Sequence, residues 1–529
     1  MDPNYPNILV ADSISEEGIE RLQKDANLDV LTNITKDELL EIIDRYDALV
    51  VRSRTKVTKD IINRGKRLKV IGRAGVGVDN IDVETATAKG IIVINAPEGN
   101  TISAAEHTIA MLLSLARKIP LANSSVKKGE WKKSDFIGIE VREKVIGIIG
   151  FGRIGSYVAK MAHGLGMNVI AYDPYVVPAN IEKTGGLKVD FDTVLKDSDF
   201  ITVHVPLNKK TTGLIGENEF RKMKKGVRII NCARGGIIDE TALYKAIKNG
   251  IVAGAALDVF VNEPPKNNPL LDLDEVVVTP HLAASTIEAQ KNVAIIIANQ
   301  VLAALKNEPV MNAVNMPVIP KDAIVVIRPY IPLSEKLGKI ASQLVNGTIL
   351  RVKMIYKGDI AGYNTEYITK SALVGIFSNI LNEHVNLINA PVIANNRGIN
   401  ISEEKSKDIE DLTNSITIEV ETDSMKKVLI GTIFGKSEER IIGIDGFKIN
   451  VIPSKYMLIS NHTDRPSIVG KIGKLLGDED INIAAMELGR KKPRGEAIMV
   501  LSVDSPVPDH ILEEIRKIEG IHDAILVSI

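Results

Sequence analysis

From Ile8 to Thr279 the sequence alternates short runs of Val and Ile with amphipathic helical stretches, and this alternation limits the architecture more than any other feature. Near-continuous apolar runs suit strands buried on both faces, which arise where helices cover both sides of a parallel sheet. Ile8–Ala11, Ala48–Arg52, Lys69–Gly72 and Ile91–Asn95 read as strands, with helices over Ser15–Lys24 and Val83–Lys89. A longer helix opens at Ser103, where Glu106 completes a capping-box pattern, and runs to about Lys118 before Pro120. A second series follows, with strands at Val145–Ile149, Asn168–Tyr172, Phe200–Val205, Val227–Asn231, Ala253–Leu257 and Val276–Thr279. Six strands with intervening helices is the count of a dinucleotide-binding fold. The helix Ser285–Lys306 has no partner strand in this series and is expected to return to the first domain.

A chain of 529 residues is too long for one core. Pro309, Pro317 and Pro320 mark a boundary, after which the pattern becomes that of an α+β module. It includes alternating strands at Ile416–Glu421 and Val428–Ile433 and a hairpin signal at Asp445-Gly446. The last block reads strand, helix, strand, strand, helix, strand: Tyr456–Asn461, Ile468–Gly477, Ile481–Gly489, Glu496–Val503, Asp509–Ile518 and Ala524–Val527. That is a split βαβ order. The expected division is residues 1–98 with 286–316, then 99–285, 317–452 and 453–529.

Lys plus Arg is 66 and Asp plus Glu is 67, a net charge of −1, which argues against a nucleic-acid binder. The single cysteine, Cys232, excludes an intrachain disulfide framework. Met1-Asp2-Pro3-Asn4 carries no leader pattern, and the apolar stretch Val293–Leu305 is interrupted by Asn299 and Gln300. A soluble, cytoplasmic protein without a membrane partner is expected. No two histidines have metal-ligand helical spacing, so no catalytic metal is expected.

Gly150-Phe151-Gly152-Arg153-Ile154-Gly155 directly follows the strand Val145–Ile149 and opens a helix. The first glycine allows the tight turn, the second lets backbone approach a pyrophosphate, and the third lets helix pack on strand. The helix N-terminus offers free N–H groups to phosphates. Asp173 ends the next strand, where a carboxylate can accept hydrogen bonds from ribose hydroxyls and repel a 2′-phosphate. NAD is therefore favoured over NADP.

Oxidising an alcohol by hydride transfer needs a base for the hydroxyl proton and a cation for the carbonyl and carboxylate. Candidates sit at the carboxyl ends of strands. Arg234, in Asn231-Cys232-Ala233-Arg234-Gly235-Gly236, can clamp a carboxylate with two hydrogen bonds. Asp258-Val259-Phe260 leads to Glu263, and Thr279-Pro280-His281 follows a third strand. Glu263 against His281 would orient the ring. Among eight histidines the rival is His204, in Val203-His204-Val205-Pro206. Cys232 reads as a small buried residue beside the cofactor rather than a nucleophile.

These residues, with Gly72-Arg73-Ala74-Gly75-Val76-Gly77-Val78-Asp79-Asn80 and Ala255-Ala256-Leu257-Asp258-Val259-Phe260, give the chain a resemblance to the D-isomer-specific 2-hydroxyacid dehydrogenases. The likeness is strongest to the long branch that oxidises 3-phosphoglycerate to 3-phosphohydroxypyruvate in serine synthesis. It implies two Rossmann-like doubly wound domains, an α+β intervening domain and a ferredoxin-like βαββαβ ACT domain, in a homotetramer. It implies Arg234, Glu263 and His281 as the catalytic trio. Val205, Pro206, Cys232, Ala233, Arg234, Asp258, His281, Ala283 and Ala284 join the glycine motif and Asp173 as residues lining the NAD site. It places the substrate anions at Arg52, Ser53 and Arg73, at the Val76 and Gly77 amides, and at a neighbouring subunit's Lys133, where several relatives carry arginine. In the ACT block it implies Asp464 and Asn482 as binders of L-serine, a possible feedback inhibitor, with Ser467 where glycine is common.

Two other readings stay open. A glyoxylate or hydroxypyruvate reductase would share the trio, but its substrates lack phosphate and would leave Arg52 and Arg73 less useful. An NADH-sensing corepressor would bind partner peptides, and the ACT-type tail argues against it. The expected hinges lie before Ser103 and near Ala283–Ser285.

Overall fold

The structure, a computed structural model, describes residues 5–306, 308, 310–316, 321–381, 384–408 and 412–529. Met1–Asn4 and the boundary prolines Pro309, Pro317 and Pro320 lie outside the described residues.

The first sheet is parallel and contains β1 (Asn7–Val10), β2 (Asn27–Val30), β3 (Ala48–Val51), β4 (Val70–Arg73) and β5 (Ile92–Ile94), ordered β2-β1-β3-β4-β5. Ile8, Val10, Val50 and Val70 pack on one face against Val293, Ile297 and Val301 of the helix Ile287–Leu305. Leu9, Leu49, Val51 and Ile71 pack on the other. The strand β2 carries no Val/Ile run because it is a half-exposed edge, Asn-Leu-Asp-Val, and the sequence reading did not identify it.

The second sheet is also parallel. It holds β6 (Val145–Ile149), β7 (Asn168–Tyr172), β8 (Gly186–Lys188), β9 (Phe200–Val203), β10 (Val227–Asn231), β11 (Val252–Leu257) and β12 (Val276–Val278). Their order is β12-β11-β10-β9-β6-β7-β8, so the winding direction reverses between β6 and β9. Doubly wound sheets bind ligands outside the carboxyl ends at such a point. The sheet has one strand more than expected, the three-residue edge β8.

The connection between the two sheets corrects the expected helix. It runs Thr101–Ala116, and its N-cap is Asn100, so Ser103 lies inside the first turn rather than at a capping box. The Ser103 hydroxyl instead bonds Thr286 Oγ1 at 2.8 Å, joining the two segments that cross between domains. Pro120 does not stop a helix. It sits in the first turn of the next one, Ile119–Lys127, where its missing N–H costs nothing.

The intervening sheet is mixed and holds β13 (Ile349–Gly358), β14 (Asn400–Ser406), β15 (Asn414–Thr422), β16 (Lys426–Phe434), β17 (Glu438–Ile444) and β18 (Phe447–Val451). The turn between the last two uses Asp445 and Gly446, both at positive φ (48° and 80°), as a two-residue hairpin requires. The last sheet, β19 (Tyr456–Thr463), β20 (Ile483–Arg490), β21 (Glu496–Val503) and β22 (Ile521–Ser528), is antiparallel in the order β20-β21-β19-β22. Its helices cover one face. The other face shares a core with the intervening module, Met457, Ile459 and Val500 joining Ile449 and Val451, so the two modules form one unit. That unit meets the first domain where Asn386 Nδ2 donates to Gly90 O at 2.7 Å. Among the described residues no helix is long and apolar enough to cross a membrane.

Candidate active site

The three glycines of the β6 turn differ in their surroundings. Gly150 has φ 94°, and a Cβ there would lie 2.7 Å from the His204 carbonyl oxygen and from Val205 Cγ1. A Cβ at Gly155 would lie 2.2 Å from the Gly150 oxygen, so strand and helix could not pack. Gly152 faces open space, with no atom within 4 Å of its missing Cβ. An open approach to a helix N-terminus at the winding switch fits a dinucleotide pyrophosphate. Asp173 steadies this turn by accepting from the Phe151 and Tyr175 amides, both at 2.8 Å. Each of its oxygens keeps a lone-pair direction for a ribose hydroxyl. Ile154 packs into the core below, and Arg153 pairs across the cleft with Glu98 at 3.1 Å. Pro206 caps the next loop, its carbonyl accepting from Thr211 Oγ1 at 2.5 Å.

The carboxyl ends of β10, β11 and β12 carry the candidate residues. His281 Nδ1 lies 2.8 Å from Glu263 Oε2, which fixes the ring and leaves Nε2 for a substrate. His281 has φ 56°, a left-handed conformation costing a non-glycine residue about 1–3 kcal/mol. Its neighbours hold it there. The Asp258 carboxylate accepts from Thr279 Oγ1 at 2.5 Å, Leu282 N at 2.7 Å and Ala283 N at 2.9 Å, while His281 N donates to the Asp258 carbonyl at 2.9 Å. Asp258, expected to line the cofactor site, is thus a fully buried strut beneath the histidine loop. Burial alone would raise its carboxyl, but these hydrogen bonds and one from His107 outweigh burial and hold it below its ordinary value.

His204, the rival histidine, bonds Thr202 Oγ1 at 3.0 Å, and burial pushes its ring down to about 4. Its ring is neutral at neutral pH and has no carboxylate partner among the described residues. Cys232 is buried, and burial pushes its thiol up to about 12, so it carries no thiolate at neutral pH. Ala233 precedes Arg234 and Ala284 follows the His281 loop, with Ala233 N tied to Asn231 Oδ1 at 3.0 Å.

Opposite these strand ends, the first domain presents arginines. Arg234 reaches across the cleft, its Nε 3.2 Å from Asp79 Oδ2, and its Nη1 donates to the Ala233 carbonyl at 2.7 Å. A Cβ at Gly77 would lie 2.1 Å from Arg234 Nη2, and one at Gly75 would lie 1.6 Å from Arg73 Nη1. Both glycines are therefore needed for guanidinium groups to lie on this loop. Arg73 is unusual. Its buried Nε has no partner among the described residues, and burial, followed by the charge of Arg234, pushes it down to about 10. Arg52 adds a third cation nearby, bonding through Nη1 to Ser13 O at 3.3 Å. Arg54 is tied off instead to Asp12, Asn33 and the Thr32 carbonyl. The Val76 and Gly77 amides donate to no protein group among the described residues. Ser53, next to Arg52 in sequence, is exposed.

Sequence reasoning missed several residues that build this site. The buried carboxylate of Asp12 accepts from Arg52 N at 2.6 Å and from the amide and hydroxyl of Thr55, which shapes the arginine loop. Asn80 Nδ2 holds the Arg52 and Thr55 carbonyls at 2.7 Å, and Asn95 Nδ2 holds the Val76 carbonyl at 2.6 Å. Among the described residues no cluster of three or more His, Cys, Asp or Glu could hold a metal.

The structure does not bring together every residue the sequence grouped. Lys133 is exposed on a segment between Trp131 (84% exposed) and Ile137 (76% exposed). Asp464 and Asn482 sit at opposite ends of the last sheet. Thr463, just before Asp464, pairs with Glu496 at one end of β21, whereas Ile483, just after Asn482, pairs with Val503 at the other. Asp464 accepts from Arg490 Nη1 and Arg494 N, both at 3.0 Å, and Asn482 Nδ2 donates to Asp504 at 2.7 Å.

A glycine-rich cofactor turn, a histidine–carboxylate pair and a facing arginine define a nicotinamide-dependent dehydrogenase of 2-hydroxyacids, and comparison with known proteins agrees. Residues 109–283 match the model of the D-isomer specific 2-hydroxyacid dehydrogenase NAD binding domain. Residues 326–445 match the D-3-phosphoglycerate dehydrogenase intervening domain, and 456–520 match the ACT domain. A D-3-phosphoglycerate dehydrogenase of Archaeoglobus fulgidus is 49% identical over 99% of this chain and 100% of its own. One of Methanocaldococcus jannaschii is 47% identical over 99% of each chain. The structure of Aquifex aeolicus D-lactate dehydrogenase with NAD and lactic acid superposes with a TM-score of 0.52 at 30% identity, covering 59% of this chain and 99% of that one. The chain belongs to the D-isomer-specific 2-hydroxyacid dehydrogenases. Within them it groups with the long-form D-3-phosphoglycerate dehydrogenases, which it matches from end to end.

Proposed function

We propose that the protein oxidises 3-phosphoglycerate to 3-phosphohydroxypyruvate in the cytoplasm, the entry step of phosphorylated serine synthesis. The observation that carries this is Arg73, half-buried with an unpartnered Nε, beside Arg52 and beside Arg234, which reaches Asp79 across the cleft. Three cations gathered at one cleft suit a substrate with both a carboxylate and a phosphate better than a simple 2-hydroxyacid.

NAD bound at the β6 turn supplies the hydride acceptor. His281 Nε2 takes the hydroxyl proton while Glu263 holds the opposite ring nitrogen. Arg234 and the free Val76 and Gly77 amides hold the carboxylate and polarise the forming carbonyl. Arg52 and Arg73 hold the phosphate. The expected result for Arg52→Ala is that kcat/KM for 3-phosphoglycerate falls roughly 10- to 100-fold, while that for D-glycerate stays level. Steady-state rates on both substrates check this, and an unchanged preference would contradict the phosphate assignment.

We further propose a homotetramer in which the exposed Trp131–Ile137 segment is covered by a second copy, bringing Lys133 to a neighbour's substrate phosphate. Two copies also bear on regulation. Because Asp464 and Asn482 lie at opposite sheet ends, one serine can meet both only if two ACT domains lie side by side in opposite directions. Ser467 has φ 73° at the turn leading into the helix Ile468–Asp478, a left-handed position where glycine carries no steric penalty. Serine should lower turnover, and Asp464→Ala should remove that inhibition without changing the uninhibited rate; inhibition untouched by the substitution would place the effector elsewhere.

A further inference from the structure

One face of the helix Thr101–Ala116 is wired to the catalytic histidine loop. Ser103, His107 and Met111 are spaced four apart, so they project from the same side of the helix. Ser103 bonds Thr286, and Met111 Sδ lies 3.8 Å from Thr279 Oγ1. Between them His107 Nε2 lies 3.2 Å from both Asp258 Oδ1 and Thr279 Oγ1. An ionised Asp258 can only accept, and Thr279 gives its single hydroxyl proton to Asp258 at 2.5 Å. His107 must therefore be the donor to both, through a proton on Nε2. Thr279 and Asp258 are the two side chains that hold residues 279–283 around the left-handed His281.

We propose that His107 is a positioning residue for His281, acting through Asp258 and Thr279 from the helix that begins at the domain crossing. Removing the donor leaves a fully buried carboxylate one hydrogen bond short. Asp258 would then turn to recruit another donor, loosening its hold on the Leu282 and Ala283 amides. His281 would remain present but would sample the base geometry less often. Substrate anions are held by other residues, so binding should be spared while turnover is not. The inference rests on the dehydrogenase reading given above.

The test compares His107→Phe and His107→Gln in the full chain. Glutamine places an amide N–H near the position of Nε2, whereas phenylalanine keeps ring volume without a donor. With 3-phosphoglycerate and NAD, kcat for His107→Phe should fall roughly 10- to 100-fold, with KM for the hydroxyacid within about twofold. His107→Gln should recover most of the loss. Hydrogen exchange at the Leu282 and Ala283 amides should accelerate in the phenylalanine variant and return toward wild type in the glutamine one. Unchanged kcat in a folded His107→Phe protein, or equal losses in both variants, would overturn the proposal. Wild-type protein that fails to turn over 3-phosphoglycerate would instead overturn the functional reading. If His107→Phe does not fold, the exchange rates and kcat of His107→Gln against His107→Asn, whose shorter amide cannot reach, decide the matter in the same direction.

Discussion

Replacing His281 by alanine should lower kcat for 3-phosphoglycerate roughly 10²–10⁴-fold and leave cofactor and substrate binding nearly intact. The reason is geometric. His281 is the titratable ring that both projects from a strand end facing the arginines and is oriented by a carboxylate, Glu263 at 2.8 Å. Glu263→Gln should cost less, about tenfold, because an amide can still hold the ring through its carbonyl oxygen. His204→Gln should cost little, since His204 is hydrogen-bonded to Thr202 and points at no carboxylate. Steady-state kinetics on the three variants, read as kcat and KM separately, checks the order. An enzyme that loses more activity with His204 than with His281 would reverse the assignment.

Substituting Arg234 should have the second large effect. Arg234→Lys keeps the charge but loses the planar fork, and its shorter reach abandons either Asp79 or the loop at Gly77. A fall in kcat/KM of roughly 10²–10³-fold is expected. The companion variant is Gly75→Ala. Its Cβ would displace the Arg73 guanidinium, now 1.6 Å from that position, without removing any charge. Its expected signature is a raised KM for 3-phosphoglycerate with kcat nearly preserved. If Gly75→Ala leaves KM unchanged, Arg73 does not hold the substrate from this loop.

Much of this site was legible because strand ends announce themselves. Val145–Ile149 runs directly into three glycines, and the apolar runs of β10, β11 and β12 each end on a polar signature. Helix Ile287–Leu305 could be assigned to the first sheet because no strand followed it in the second series. What the sequence hid was of three kinds. The edges β2 and β8 are short and half-exposed, so they lack the Val/Ile run that marks a buried strand. Ser103 and Pro120 carry local cap and breaker signals that tertiary contacts override, one through Thr286 and the other by starting a helix. The third kind is the supporting shell. Asp12, Asn80 and His107 act on residues 25 to 172 positions away, and no periodicity reports such pairings. Residue chemistry could point to Asp464 and Asn482 as effector ligands, but only strand register shows that one chain cannot bring them together.

The most direct measurement is the rate at which absorbance of reduced nicotinamide appears when the purified protein meets NAD and 3-phosphoglycerate, with D-glycerate and D-lactate in parallel cuvettes. The expected result is turnover of 3-phosphoglycerate on the order of 1–10³ per second, with kcat/KM at least about tenfold above either substrate that lacks the phosphate. Turnover of D-lactate or D-glycerate as efficient as that of 3-phosphoglycerate, or none of the three oxidised by protein that binds NAD, would contradict it.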